Sequence, residues 1–194
     1  MSTQNINVVE HLIPYFPLDQ DFNNYYSVVM EDFQKVKGYF PLLQITCLPT
    51  IKLKEVFITG NLIPVDVLKK CLTPQDIGRN SLYILGIYPS EYPLDNIYVE
   101  DLHQKINWAK VPDKHRHQNI YYKTNRIILC THHPYGEINA LKPSERTIAI
   151  LSSAWKLYRQ YKDYLKTKKW ILKDLRHGHE GILQLKRLGE YYGK

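Results

Sequence analysis

The chain has 194 residues, which is enough for one well-packed domain and short for two. Hydrophobic residues make up 44% of it and charged residues 23%, as in an ordinary globular domain, and no apolar run is long enough to span a membrane. Residues 1–10 are polar and lack a signal-peptide pattern, so the sequence predicts a cytoplasmic protein with a single domain over 1–194.

The net charge of +7 is concentrated near the C-terminus. Residues 156–194 carry 11 basic and 4 acidic side chains, whereas residues 1–155 carry 15 of each kind. The basic residues are dispersed among tyrosines and leucines, which favours a solvated face of a terminal helix. A docking surface for an acidic partner or for nucleic acid is the alternative that this charge leaves open.

The first predicted element is a helix that Asp19 or Asp21 caps and that Gly38 ends, just after Lys37. Apolar residues recur along it at steps of three and four residues, which predicts one buried face made of Phe22, Tyr26, Val29, Phe33 and Val36.

Strands are predicted next at Leu42–Leu48 and Ile51–Ile58, followed by a turn at Gly60–Asn61. The following stretch is compatible with a short helix around Asp66–Cys71 and then a loop at Thr73–Pro74. The most strongly marked strand comes after it, over residues 81–88, because that run is rich in leucine, isoleucine and tyrosine.

Two prolines follow this strand and predict a stiff, extended surface segment over Tyr88–Pro93. A short strand is predicted at Asn96–Val99, and the polar residues 100–119 allow no assignment. Ile120–Tyr122 and Ile127–Leu129 then predict a small hairpin.

A long helix is predicted from an N-cap at Ser144, and a basic, partly helical extension over 171–194 follows it. One face of the helix is apolar and is interpreted as core that covers the sheet; it consists of Ile148, Leu151, Trp155, Tyr158, Tyr161 and Leu165. A helix, then several strands, then further helices predict an α+β domain with an antiparallel sheet.

Three cysteines, Cys47, Cys71 and Cys130, occur without close spacing and without a CxxC pair, which argues against a disulfide framework and a zinc knuckle. In a reducing compartment an isolated cysteine is either a small buried hydrophobe or a nucleophile. We interpret Cys47 and Cys71 as structural, with a disulfide to Cys130 left open.

Cys130 follows the apolar run 127–129, where a strand gives way to a loop. The thiolate is the attacking form of cysteine, and His132 or His133 can favour its formation or act as a base. His132 is preferred, because a residue two positions beyond the nucleophile can fold back in a tight loop. The amide of Asn119 can donate a hydrogen bond to the oxyanion of an acyl-transfer intermediate.

The histidines around Cys130 also allow a zinc site, although no spacing in the set His115, His117, His132, His133 and Cys130 is diagnostic. The pair His115-x-His117 is similar to that of the zinc isopeptidases. Asn125 and Ile128, however, stand where that motif needs serine and aspartate. We therefore expect neither a metal nor a cofactor.

These residues resemble the ubiquitin-conjugating (UBC) family. That family opens with a helix, continues through a meandering antiparallel sheet and carries a turn of the form aromatic-Pro-x-x-Tyr-Pro, which Tyr88–Pro93 matches. A His-Pro-Asn motif and the active-site cysteine follow in the family; here they are His117–Gln118–Asn119 and Cys130. The resemblance covers about 19–170 and implies a UBC-like fold with an N-terminal helix, an antiparallel meander sheet and C-terminal helices.

By this resemblance Cys130 carries a thioester, Asn119 stabilises the oxyanion and His117 helps to hold the local backbone. Two departures affect the placement of Asn119. Gln118 stands in place of the proline, and Cys130 follows Asn119 by 11 positions, a few more than is usual in the family.

The C-terminal part is similar to bacterial UBC-like proteins of anti-phage operons, notably CBASS (cyclic-oligonucleotide signalling), in residues 130–133, 154–155, 161, 167–170 and 177–178. The implied reaction joins the C-terminus of a CBASS nucleotidyltransferase, or of a ubiquitin-like modifier, to a target amine. Because the chain has no room for an adenylating domain, the acyl group comes from a separate activating enzyme or by a direct route.

Two other functions stay open. A catalytically silent UBC-like interaction module is favoured by the missing proline and the longer gap before Cys130. A nucleic-acid binder is suggested by tyrosines among lysines and arginines, namely Tyr158, Tyr161, Tyr164, Tyr191 and Tyr192. Tyrosines at helical spacing are more often core, so we favour protein partners over nucleic acid or a membrane.

Overall fold

The computed structural model describes residues 20–47, 55–121, 125–131 and 137–170. Its helices and strands are α1 (Gln20–Tyr39), β1 (Leu43–Cys47), β2 (Val56–Leu62), α2 (Val65–Leu68), α3 (Pro74–Asn80), β3 (Leu82–Tyr88), β4 (Tyr98–Asp101), β5 (Gln118–Tyr121), β6 (Arg126–Leu129) and α4 (Pro143–Thr167). Short 3₁₀ helices lie at Trp108–Lys110, Asp113–His115 and Glu137–Ala140. Strands β1 to β4 form an antiparallel sheet in chain order, and β5 pairs with β6 in a separate hairpin. The predicted α+β class, with an N-terminal helix, an antiparallel sheet and a C-terminal helix, is confirmed.

The two long helices pack on one face of the sheet. Val29 and Phe33 of α1, Ile84 of β3, and Leu151 and Ala154 of α4 belong to one buried cluster. Successive side chains of a strand alternate between the two faces of a sheet, so Leu82, Ile84 and Tyr88 all lie on the helix side. The apolar faces predicted for both helices are therefore confirmed for the described side chains, whereas the side chain of Phe22 lies outside the described residues.

The β5–β6 hairpin covers the other face of the sheet. Leu85 and Ile87 of β3 are buried there together with Tyr121 of β5 and Ile128 of β6. The hydroxyl of Tyr121 also donates a hydrogen bond to the buried carboxylate of Glu55. This packing fixes the hairpin on which the candidate active-site residues lie.

The segment Tyr88–Pro93 is not the extended surface segment that its prolines predict. The chain turns over residues 90–94, the Tyr92–Pro93 peptide is cis, and both tyrosines are buried. Tyr88 donates to Asp32 of α1 at 2.6 Å, and the hydroxyl of Tyr92 lies 3.2 Å from that of Thr147 in α4. The aromatic rings thus turn the segment inward, because the hydroxyls find buried partners on both long helices.

The turn predicted at Gly60–Asn61 is also wrong, because both residues lie inside β2. Gly60 pairs with Leu43 and has φ +133°, and a Cβ atom added there would approach the carbonyl oxygen of Leu42 closely, to 2.4 Å. Glycine is needed at this position for the close approach of β1 and not for a chain reversal. Gly38 likewise does not end α1, which continues to Tyr39.

Helix caps were the least predictable features. Thr73 caps α3 through a hydrogen bond from the Asp76 amide to its hydroxyl at 3.1 Å, so the predicted loop at Thr73–Pro74 is instead a helix start. Helix α4 begins at Pro143, and its cap residue is Lys142 and not Ser144. At the start of α1, Asp19 lies outside the described residues, and Asp21 is inside the helix.

The remaining boundaries differ by small shifts. The strands predicted at 42–48, 81–88 and 96–99 correspond to β1, β3 and β4, and β2 continues four residues beyond the predicted end at Ile58. The predicted hairpin is confirmed, but β5 starts two residues earlier than expected. Residues 51–54, Tyr122 and the C-terminal extension over 171–194 lie outside the described residues.

Candidate active site around Cys130

Cys130 lies one residue beyond the end of β6, directly opposite His117. Its backbone N–H donates to the carbonyl oxygen of His117 at 2.9 Å, which continues the β5–β6 ladder by one pair. The side chain of Cys130 is partly buried and forms no disulfide with Cys71. The motif His117–Gln118–Asn119 and the candidate nucleophile are therefore neighbours in space.

The register of this hairpin decides which side chains share a face with Cys130. Gln118 pairs with Leu129 and Asn119 with Ile128, and paired residues of an antiparallel ladder project to the same side. His117, Asn119 and Cys130 therefore lie on one face. Asn119 is diagonal to Cys130, a relation in which Cα atoms are about 7–8 Å apart and side chains of moderate length can meet around a bound group.

The side-chain amide of Asn119 is exposed and oriented by its own strand. Its oxygen accepts a hydrogen bond from the backbone N–H of Ile120 at 2.9 Å. This bond occupies the acceptor end of the amide, so the NH₂ group is the end that can donate to a ligand. A donor beside a nucleophile is the arrangement that stabilises an oxyanion.

Gln118 occupies a position that also suits proline. Opposite residues of an antiparallel ladder alternate between hydrogen-bonded and non-hydrogen-bonded pairs, and the bond from Cys130 to His117 makes theirs a hydrogen-bonded pair. The next pair, Gln118 with Leu129, is then non-hydrogen-bonded, and the N–H of Gln118 points away from β6. The departure from His-Pro-Asn therefore leaves the ladder geometry unchanged.

Burial raises the pKa of the Cys130 thiol above its ordinary value, because the thiolate loses contact with water. The sequence predicts the opposite influence, an adjacent histidine that favours ionisation. His132, the candidate base, and His133, its alternative, both lie outside the described residues.

His117 has a second role that the sequence analysis did not identify. Its imidazole stacks on the indole of Trp170, with centroids 6.0 Å apart and planes 8° apart, and His115 stacks on the same indole at 5.3 Å. Trp170 reaches this place because the chain turns at the end of α4, where Lys168 adopts a left-handed conformation with φ 57°. The residue Trp170, just beyond α4, is thus packed against the segment that leads into β5 and lies opposite Cys130.

The other predicted ligands and cysteines do not form a second site in the described part of the chain. Among the described residues, no three histidine, cysteine, aspartate or glutamate side chains cluster as metal ligands. Cys71 is a free, partly buried thiol, and its sulfur lies 3.5 Å from the carbonyl oxygen of Val67. The side chain of Cys47 lies outside the described residues.

The described tyrosines that could stack on nucleic-acid bases instead pack against other parts of the protein. Tyr158 and Tyr161 are only 6% and 5% exposed and belong to the core between α4 and the sheet. Tyr164 packs edge-on against Trp170, with centroids 5.9 Å apart. Tyr191 and Tyr192 lie outside the described residues. The interpretation of the α4 aromatics as core is confirmed for Tyr158 and Tyr161.

Within the residues that the structure describes, no helix is both long enough and apolar enough to cross a membrane. No protein-family model, no curated protein and no solved structure matches this chain.

Proposed function

We propose that this protein is a cysteine-dependent acyl transferase of the ubiquitin-conjugating type, which carries a protein C-terminus as a thioester on Cys130 and passes it to an amine. The observation that carries the proposal is the hydrogen bond from Cys130 to His117. That bond extends the hairpin register to the nucleophile and puts Asn119 on its face. Asn119 and Cys130 are 11 positions apart in the chain, and the hairpin makes them diagonal neighbours.

The reaction has two acyl transfers. In the first, the Cys130 thiolate attacks the carbonyl carbon of an activated donor, a C–S bond forms, and the donor's leaving group departs with its electron pair. In the second, a neutral amine adds to the thioester carbonyl, and the NH₂ group of Asn119 donates to the oxyanion that develops. Collapse of this intermediate forms the amide and returns the electron pair to the Cys130 sulfur, while the proton from nitrogen passes to a base or to water.

The raised pKa of Cys130 fits a carrier of acyl groups. A thiol with a high pKa is a poorer leaving group, so its thioester reacts more slowly with water. The same property slows the first attack, because less thiolate is present at neutral pH. We therefore propose that the Cys130 thiol loses its proton when the acyl donor binds, and that it stays protonated in the isolated protein.

The wider architecture supports a UBC-like fold as part of this proposal. An N-terminal helix is followed by a four-stranded meander, in which the aromatic-Pro-x-x-Tyr-Pro turn connects β3 to β4, and then by the hairpin that ends before the cysteine. The proposed setting is a bacterial, cytoplasmic anti-phage system of the CBASS type. The donor is then a CBASS nucleotidyltransferase or a ubiquitin-like modifier, supplied by a separate activating enzyme or by a direct route.

A second candidate function is a catalytically silent interaction module with the same fold. The partial burial of Cys130, which raises the pKa of its thiol, favours it. In that case Cys130 is a small hydrophobic residue at the end of β6, and binding to partners does not depend on its sulfur.

A peptide with a C-terminal glycine benzyl thioester distinguishes the two candidates. We expect the acyl group to move to Cys130, where mass mapping detects an adduct that hydroxylamine and excess thiol remove. Cys130→Ala should lose this adduct and Cys71→Ala should keep it. Cys130→Lys should form an amide with the same donor that persists under reducing conditions. Acylation of Cys130 no faster than that of Cys71 would favour the silent module.

A further inference from the structure

Three cations converge on the C-terminal end of helix α3, far along the chain from Cys130. Lys105 donates to the carbonyl oxygens of Gly78 and Ser81 at 2.8 and 2.9 Å. Arg159 donates to the side-chain oxygen of Asn80 at 3.0 Å, and Lys162 donates to the carbonyl oxygen of Arg79. The C-terminal end of a helix carries partial negative charge and stabilises cations. The hydrogen bonds hold the positive charges of Lys105, Arg159 and Lys162 close together at this end of α3.

Helix α4 extends this area along its length. Arg159, Lys162 and Lys166 follow one another at steps of three and four residues, which places them on one side of the helix. Burial lowers the pKa of Lys162, the neighbouring charges of Arg159, Lys166 and Lys105 lower it further, and Asp163 acts in the opposite direction. Residues 156–170 contain six basic residues and a single acidic one, Asp163, so the positive charge is not balanced locally.

We define the α3–α4 basic patch as Arg79, Lys105, Arg159, Lys162 and Lys166. In the described part of the chain, none of these five side chains forms an ion pair, and the ion pairs that the structure records there involve other residues. Asp76, Asp101 and Asp163 offset part of the charge of Arg79, Lys105 and Lys162. Three carboxylates against five cations leave a net positive area, which is complementary to an anionic ligand.

We infer that the α3–α4 basic patch is a docking site for an acidic segment of a protein partner. This inference goes beyond the proposed acyl transfer and does not depend on the chemistry of Cys130. From Arg159 to Lys166 the stripe spans about 10 Å along the helix, which is the length of about three residues of extended polypeptide. A run of aspartates and glutamates can therefore follow it with one carboxylate for each cation.

Two aromatic residues that contact the patch, Trp155 and Tyr158, favour a polypeptide ligand over nucleic acid. The guanidinium of Arg159 lies over the ring of Trp155 at 5.7 Å, and Lys105 and Lys162 lie over the ring of Tyr158 at 5.8 and 5.6 Å. Tyr158 is also buried. Proteins that bind single strands stack bases on open aromatic faces, and these rings are already covered.

The test uses fluorescein-labelled octaglutamate as the acidic probe and the full chain at low salt, with binding followed by fluorescence anisotropy. Arg79 and Lys166 have exposed side chains, so the double variant R79E/K166E changes the patch and leaves the fold intact. The matched control is K110E/K114E, which alters the net charge equally at two exposed lysines outside the patch. We expect the patch variant to lose affinity on the order of tenfold and the control about twofold or less.

A single-stranded DNA oligonucleotide of equal charge is the second probe, and we expect it to bind more weakly than octaglutamate. The milder variant K166Q, which removes one charge without reversing it, should lose part of the affinity for octaglutamate. Equal affinity of the two double variants for octaglutamate would overturn the inference. Tighter binding of DNA that R79E/K166E abolishes would also overturn it and would identify the patch as a nucleic-acid site.

Discussion

The pH dependence of Cys130 reactivity tests how this site works. Ionisation creates the charged thiolate, and burial disfavours charge, so the pKa of the thiol lies above its ordinary value of 9.0. A thiol with a pKa of 9 is about 1% ionised at pH 7, and each further unit lowers that fraction tenfold. The thiolate fraction of native Cys130 at pH 7 is therefore smaller than that of an ordinary exposed cysteine.

Iodoacetamide reacts with the thiolate, and mass mapping of the native protein reports the rate at each cysteine. We expect the rate at Cys130 to rise about tenfold for each pH unit between 7 and 9, without a plateau. Unfolding the chain in urea removes the burial, so the same cysteine should then react faster at pH 7. Cys71, a second partly buried thiol in the same chain, serves as the internal control, because mass mapping reports its rate separately.

A plateau below pH 8 would refute this reasoning. It would show that a nearby positive charge stabilises the thiolate more strongly than burial destabilises it. His132 and His133, which directly follow in the chain, would then be the first residues to replace.

Four further predictions concern neighbouring features of the molecule. Asn119→Ala should leave acylation of Cys130 by the peptide thioester intact. It should slow transfer of the acyl group from Cys130 to an amine by about 100-fold, as the loss of other oxyanion donors does. Gln118→Pro should change the free energy of unfolding by less than about 0.5 kcal/mol, whereas Asn119→Pro, in a hydrogen-bonded pair, should lower it by about 3 kcal/mol. Trp170→Ala should lower that free energy by about 2–3 kcal/mol and speed alkylation of Cys130, because its stacking on His115 and His117 is lost. Gly60→Ala should destabilise the fold by about 2–4 kcal/mol in urea titrations, because the φ angle and the Leu42 carbonyl exclude a Cβ atom. Gly78→Ala should stabilise it by about 0.5–1 kcal/mol, because a Cβ atom at that position of α3 meets no other atom.

The spacing of apolar residues predicts the helices and strands in which those residues are also buried. Val29, Phe33 and Val36 recur at helical spacing, and all three are buried in α1. Strand β3 is buried on both faces, so its continuous run of apolar residues is sufficient to identify it.

The sequence pattern does not predict local structure where a contact with a residue distant in the chain determines it. The prolines predict an extended surface segment over Tyr88–Pro93, but Tyr88 donates a hydrogen bond to Asp32, which is 56 positions away in the chain. Trp170 was not recognised as part of the site for a similar reason. Its contact with His117 depends on a left-handed turn at Lys168, and a lysine gives no local signal for that conformation.

The spacing between Asn119 and Cys130 shows why a residue count is a weaker guide than a register. Extra residues at the tip of a hairpin lengthen the gap along the chain, but they leave each cross-strand pair beyond the tip unchanged. Asn119 stays opposite Ile128 and Cys130 stays opposite His117 whatever the length of the connection. A shift of the register by one residue would instead put the side chains of Asn119 and Cys130 on different faces of the hairpin. The register is held by Tyr121 and Ile128, which are buried against β3, so packing of the hairpin on the sheet determines whether the amide and the thiol can act on one acyl group.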